Sequence, residues 1–129
     1  MADSHSRILI AEDDTALLDR LAKFMQENGY QVDRAEDGSQ ALSKIRSTHP
    51  DLLILDAVLP KFSGFQISRL IKFDSNLKRI PILMLTVLDQ PADKERAKTV
   101  GVDLYLTKPF SDGILLEAVK KLLSNPKTL

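Results

Sequence analysis

Four short apolar runs in this chain each end on polar residues, and that placement limits the fold more than any other feature. Ile8-Leu9-Ile10-Ala11 leads into Glu12-Asp13-Asp14, Leu52-Leu53-Ile54-Leu55 into Asp56, Ile82-Leu83-Met84-Leu85 into Thr86, and Leu104-Tyr105-Leu106-Thr107 into Lys108-Pro109. Runs of this length between helical stretches read as buried strands of a parallel sheet. In such sheets ligands bind outside the carboxyl ends of the strands, so carboxylates, one hydroxyl and one ammonium converge at one rim. Clustered acids repel unless a cation joins them, and their hard oxygens suit magnesium. A carboxylate, a hydroxyl and a lysine beside such an ion make a site for phosphoryl transfer.

Between the runs, strand and helix alternate five times. Leu17, Leu18, Leu21, Phe24 and Met25 repeat at helical spacing, and Asn28-Gly29 supplies a stop. Residues 30–35 form a more polar strand, expected at a sheet edge. Asp37-Gly38-Ser39 turns into a helix with Ala41, Leu42 and Ile45 inward, closed by His49-Pro50. Ile67, Leu70 and Ile71 mark a third helix after a loop from Pro60 to Gly64. Pro91 opens a fourth whose apolar stripe, Ala92, Ala97 and Val100, is thin, so weak anchoring is expected. The last, from about Asp112, carries Leu115, Leu116, Val119, Leu122 and Leu123, a broader stripe than one sheet contact needs, and part of it is expected to face a partner. Alternation with right-handed crossovers predicts a three-layer doubly wound α/β domain. Residues 1–124 are expected to form it, with a linker or tail from 125 to 129.

A chain of 129 residues is one ordinary domain. Eighteen basic residues against eighteen acidic ones leave no electrostatic footprint for direct contact with nucleic acid or an acidic membrane. The absence of cysteine excludes disulfides and thiolate metal sites. The opening residues lack the apolar core of a signal peptide, and the apolar stretch 80–88 is interrupted by Pro81 and Thr86, so a cytoplasmic location is expected. His5 and His49 lack metal-ligand spacing and read as surface residues.

Taken in order and at these spacings, four segments resemble the bacterial response-regulator receiver domain, the phospho-acceptor half of a two-component signalling pair. They are the acidic cluster after the first strand, Asp56 followed by Leu59-Pro60 and Gly64, the strand end at Thr86, and Tyr105-Leu106-Thr107-Lys108-Pro109-Phe110. The resemblance implies a flavodoxin-like sheet in the order 2-1-3-4-5, the order known for the chemotaxis regulators of that family. It implies that Asp56 accepts the phosphoryl group and that Glu12, Asp13, Asp56 and the backbone carbonyl of Val58 hold Mg2+ or Mn2+. By the same resemblance Thr86 and Lys108 contact the phosphoryl oxygens, Tyr105 follows Thr86 in the switch, and the Lys108–Pro109 bond is cis. Asp14 reads as a helix cap. The implied partners are a sensor histidine kinase or phosphotransfer protein upstream and an output domain or downstream protein, with a homodimer through the fourth helix, fifth strand and fifth helix. In such a domain catalysis is confined to phosphotransfer to, and dephosphorylation of, its own aspartate.

One departure bears on chemistry. The residue after the switch threonine is usually small in this family, and here it is Val87, whose branched side chain is expected to crowd the phosphoryl pocket. Val58 and Leu88 place apolar groups on both sides of the expected water path. Two rival readings share the fold: an interaction module that works without phosphorylation, and a haloacid-dehalogenase-type phosphatase. The phosphatase needs an Asp-x-Asp motif, whereas Glu12-Asp13-Asp14-Thr15 offers Glu in the nucleophile's place.

Overall fold

The computed structural model describes residues 6–124; the expected tail at 125–129, like His5, lies outside the described residues. The elements are β1 (Arg7–Ala11), α1 (Thr15–Glu27), β2 (Gln31–Ala35), α2 (Gly38–Thr48), β3 (Leu52–Leu55), α3 (Gly64–Lys72), β4 (Ile82–Thr86), α4 (Pro91–Thr99), β5 (Leu104–Thr107) and α5 (Asp112–Leu123). The five strands are all parallel and run in the order β2-β1-β3-β4-β5.

Successive side chains of a strand point to opposite faces, so the apolar runs feed two cores. Leu9, Ala11, Leu53, Leu55, Ile82 and Met84 face the layer of α2, α3 and α4. Ile8, Ile10, Leu52, Ile54, Leu83 and Leu85 face α1 and α5. Each fully buried Leu or Ile contributes about 1.5–3 kcal/mol relative to exposure. The registry Ala11 with Leu55, Leu55 with Met84 and Thr86 with Thr107 then brings the ends of β1, β3, β4 and β5 to a common rim.

Helix starts agree with their capping chemistry. Asp14 caps α1 by accepting the N–H of Leu17, Asp37 caps α2 by accepting that of Gln40, and Ser63 and Gln66 form a reciprocal capping box on α3. α1 ends at Asn28, and Gly29 takes the left-handed conformation expected of the stop, with φ of 94°.

The helix faces differ from the periodicity in three places. Leu70 of α3 is exposed, since Phe65, Ile67 and Ile71 already fill the contact with the sheet. In α4 only Ala97 is buried; Ala92 is exposed and Val100 lies just beyond the helix as a half-buried cap. In α5 the broad stripe is largely spent inside the domain. Leu115, Ala118 and Val119 are buried, Leu116, Leu122 and Leu123 pack against the α1-side core, and the apolar residue left exposed is Ile114. β5 is half-buried along its length rather than buried, because it is an edge strand.

Two glycines make a paired test. A Cβ at Gly64 would stand 2.3 Å from the main-chain oxygen of Asp56, whereas at Gly113 its nearest neighbour is 4.0 Å away. Gly64→Ala is therefore expected to lower the urea-unfolding free energy by about 1–3 kcal/mol through forced overpacking. Gly113→Ala, in open space at the start of α5, is expected to leave it unchanged or raise it by up to about 1 kcal/mol.

Candidate functional site

The polar residues at the strand ends are held by extensions of the ladder. Glu12 N–H donates to the Ala35 carbonyl at 3.0 Å, Asp56 N–H to Ala11 at 3.1 Å, and Lys108 N–H to Thr86 at 2.8 Å. Each residue is thus fixed by the neighbouring strand one step past its own. The Lys108–Pro109 bond is cis.

Burial marks the same place. Among the described residues the buried polar side chains are Glu12, Asp56, Ser68 and Thr86, and three of these four lie at this rim. Carboxylates 3% and 6% exposed, as Glu12 and Asp56 are, are costly unless paired. Lys108 supplies the pairing: its Nζ donates to Glu12 Oε1 and to Asp56 Oδ2, both at 2.7 Å. The remaining oxygens accept backbone groups, Glu12 Oε2 from Asp14 N–H at 3.1 Å and Asp56 Oδ1 from Val58 N–H at 2.9 Å.

Burial pushes the Glu12 carboxyl above its ordinary range, and the Asp56 charge acts in the same direction; the bonds from Lys108 and Asp14 only partly offset this. For Lys108 burial works against the ammonium, but the hydrogen bonds and charges of Asp56 and Glu12 outweigh it, so the proton is held more tightly than on a free lysine.

Asp13 is exposed beside this pair. Glu12, Asp13 and Asp56 each offer one carboxylate oxygen, and the three atoms lie within 4.8 Å of one another. An all-oxygen donor set with one face open to water fits a small hard cation that keeps part of its hydration shell. The donor chemistry therefore fits Mg2+ or Mn2+.

Thr86 is fully buried at the end of β4, its Oγ1 accepting the Leu88 N–H at 3.3 Å. Tyr105, on β5, donates its hydroxyl to the Leu88 carbonyl at 2.6 Å and packs against the α3-side core. Burial, with Asp93, Asp89 and Asp56 nearby, pushes its phenol up, which keeps it protonated as a donor.

Val87, expected to crowd the phosphoryl pocket, stands largely in solvent. Val87 is 64% exposed and Val58 54% exposed. Leu88 is partly buried and packs against the α3-side core.

Two contacts escape strand-end reasoning. The Lys108–Glu12 pair joins residues from strands separated by two others, which no sequence spacing signals. Arg96 of α4 stacks over Phe65 of α3, its guanidinium carbon 4.3 Å from the ring centroid. The only hint of it in the sequence is an arginine on a helix otherwise poor in core residues.

Comparison with known proteins gives one answer. A family model described as the response regulator receiver domain matches residues 8–120. Protein PilH of Pseudomonas aeruginosa is 34% identical over 119 residues, covering 92% of this chain and 98% of that protein. The phosphate regulon transcriptional regulatory protein PhoB of Klebsiella pneumoniae is 35% identical over 117 residues, covering 91% of this chain and 51% of that protein, so the chain spans about half the length of PhoB. Among solved structures, the signal receiver domain of a signal transduction histidine kinase from Syntrophus aciditrophicus superposes with a TM-score of 0.89 at 35% identity, over 96% of this chain and 94% of that one. The chemotaxis protein CheY4 of Vibrio cholerae gives 0.87 at 32% identity, over 92% and 99%. Fold, strand order and sequence agree, and the chain belongs to the response regulator receiver domain family of two-component signalling systems.

Proposed function

We propose that this receiver accepts a phosphoryl group on Asp56 from a phosphohistidine donor, in a divalent-metal-dependent reaction, and signals through the surface formed by α4, β5 and α5. The observation that carries this reading is the pair of hydrogen bonds that Lys108 donates to Asp56 and Glu12, both at 2.7 Å, beside the exposed carboxylate of Asp13. Such an arrangement pairs a buried carboxylate with a cation while leaving one side open. Membership of the receiver family leaves the haloacid-dehalogenase reading without support.

In the reaction an Asp56 oxygen forms a bond to phosphorus as the bond to the donor's imidazole nitrogen breaks, and the imidazole leaves with the electron pair. The donor is a sensor kinase or phosphotransfer protein, with acetyl phosphate as a small substitute. Lys108 neutralises charge on the phosphoryl oxygens and Thr86 donates its hydroxyl to one of them. Glu12, Asp13, Asp56 and the Val58 carbonyl would hold Mg2+ or Mn2+, which when bound supplies Lewis-acid stabilisation of the same charge. Val58 N–H orients the carboxylate from its other oxygen.

Phosphorylation adds roughly 1.5–2 negative charges to the rim. Thr86 and Lys108 are drawn toward the new oxygens, Thr86 leaves the Leu88 N–H, and Tyr105, which grips the carbonyl of that same residue, passes the change to the loop before α4. α4 buries only Ala97 and so moves at low cost. Moving a two-state equilibrium from about 1:99 to 99:1 takes roughly 5.5 kcal/mol of differential stabilisation. The half-buried β5 and the exposed Ile114 give the downstream surface its apolar part, for an output domain, a separate protein or a second copy.

Acetyl phosphate with magnesium is expected to label one residue, Asp56, as mapped by mass spectrometry after borohydride trapping. Asp56→Asn or chelation of the metal should abolish the label; a label surviving either change would sink the assignment. The label's lifetime tests the surroundings. Val58 offers an attacking water no hydrogen-bond partner, so Val58→Asn with Leu88→Glu is expected to hasten loss of phosphate by about 10²-fold, the lower bound of what positioned polar groups contribute. Unchanged decay would show that water positioning there does not limit the lifetime.

A further inference from the structure

We infer that Arg96 is a positioning residue, a cationic clasp that ties α4 to α3, the helix whose first residue, Gly64, packs against the main chain of Asp56, and so regulates the site; the regulatory part rests on the phospho-acceptor reading above. α4 is short of ordinary anchors: of its nine residues only Ala97 is buried. Arg96 adds the missing hold from outside. Its guanidinium carbon lies 4.3 Å from the centre of the Phe65 ring, which is itself only 4% exposed, so the cation lies over an otherwise buried aromatic.

The chain also carries a control for this contact. Arg69 approaches Phe73 at 5.6 Å, but that ring is 80% exposed and caps a helix end facing water. Arg96 is itself exposed, but its ring partner is buried whereas Phe73 is not, and a cation over a shielded ring is held more strongly, so the pair at Phe65 has the greater effect. No carboxylate pairs with Arg96 among the described residues, and the ring is the partner its position selects.

What lies beneath Phe65 gives the contact its consequence. Phe65 follows Gly64, whose N–H donates to the Ala57 carbonyl at 2.9 Å and whose α-carbon leaves no room for a methyl group against the Asp56 main-chain oxygen. The chain of contacts therefore runs from the Asp56 peptide to Gly64, to Phe65, to Arg96 and into α4, separately from the route through Thr86, Leu88 and Tyr105. Any rearrangement that carries α4 off α3 must open the clasp. A closed clasp weights the equilibrium toward the arrangement described here, and opening it by substitution weights the equilibrium the other way.

The test is amide hydrogen exchange on the full chain, with acetyl phosphate labelling as a second readout. Arg96→Met keeps the apolar stem and removes the cation. α4 amides are expected to exchange about two- to fivefold faster in this variant, the range that a partly exposed cation–aromatic contact supplies, while β1 and β3 amides stay unchanged. Phe65→Leu should release α4 likewise, and adding Arg96→Met to it should release it no further. The labelling rate of Asp56 should rise in Arg96→Met by a similar factor, since the competent fraction grows. Unchanged α4 exchange in Arg96→Met overturns the clasp. Faster exchange with an equal labelling rate overturns its regulatory role. Failure of the parent protein to take any label would overturn the phospho-acceptor reading instead, and α4 exchange would still decide the clasp.

Discussion

The ammonium of Lys108, bonded at 2.7 Å to both Glu12 and Asp56, is the interaction on which the rest of this rim depends. Two carboxylates buried side by side would repel one another and lose their hydration, each a cost of several kcal/mol in a protein interior. One shared cation meets both costs. Because burial resists that charge and the two acids more than restore it, Lys108 holds its proton more tightly in the folded chain than in the unfolded one. The stability it contributes is therefore fully present below the unfolded value of about 10.5 and is lost only as pH rises through the higher folded value.

The sheet makes that interaction reachable. Lys108 comes from beyond the edge strand β5 and Glu12 from beyond β1, with β3 and β4 between them. Registry at the strand ends and the backbone bonds that run one residue past each strand bring these groups level. The two cores do different work in holding them. The α1-side core takes in half of α5, whereas on the other face α4 contributes a single buried residue. A rigid floor with one loosely held helix beside it suits the proposed switch: charge would be added just past β3 at Asp56, Thr86 at the end of β4 would answer it, and the helix after β4 is the element least able to resist.

Much of this was legible in the sequence because strand ends announce themselves. Apolar runs of four residues closing on Glu12, Asp56, Thr86 and Lys108 fixed the strands, their shared rim and the residues around it. The cap at Asp14 and the turn into α2 at Asp37-Gly38-Ser39 were equally readable, and the structure adds that Asp37 is the cap of α2. Helix faces were less so. Leu70 and Ala92 follow helical spacing yet point outward, because which part of a helix meets the sheet is set by the packing of its neighbours. Away from the strand ends, side-chain contacts between elements were not legible. Neither the grip of Tyr105 on the Leu88 carbonyl nor the stacking of Arg96 on Phe65 leaves a periodic trace, and Val87 reads as crowding from its shape although its side chain stands largely in solvent.

The central claim is that the rim is one ionic unit pinned by Lys108. The most direct measurement is the pH titration of the Lys108 side-chain carbon signal by NMR, in the parent chain and in Asp56→Asn. The account predicts a midpoint above that of an ordinary lysine, moving down when the Asp56 charge is removed. A midpoint at or below the ordinary value, indifferent to Asp56→Asn, would contradict it.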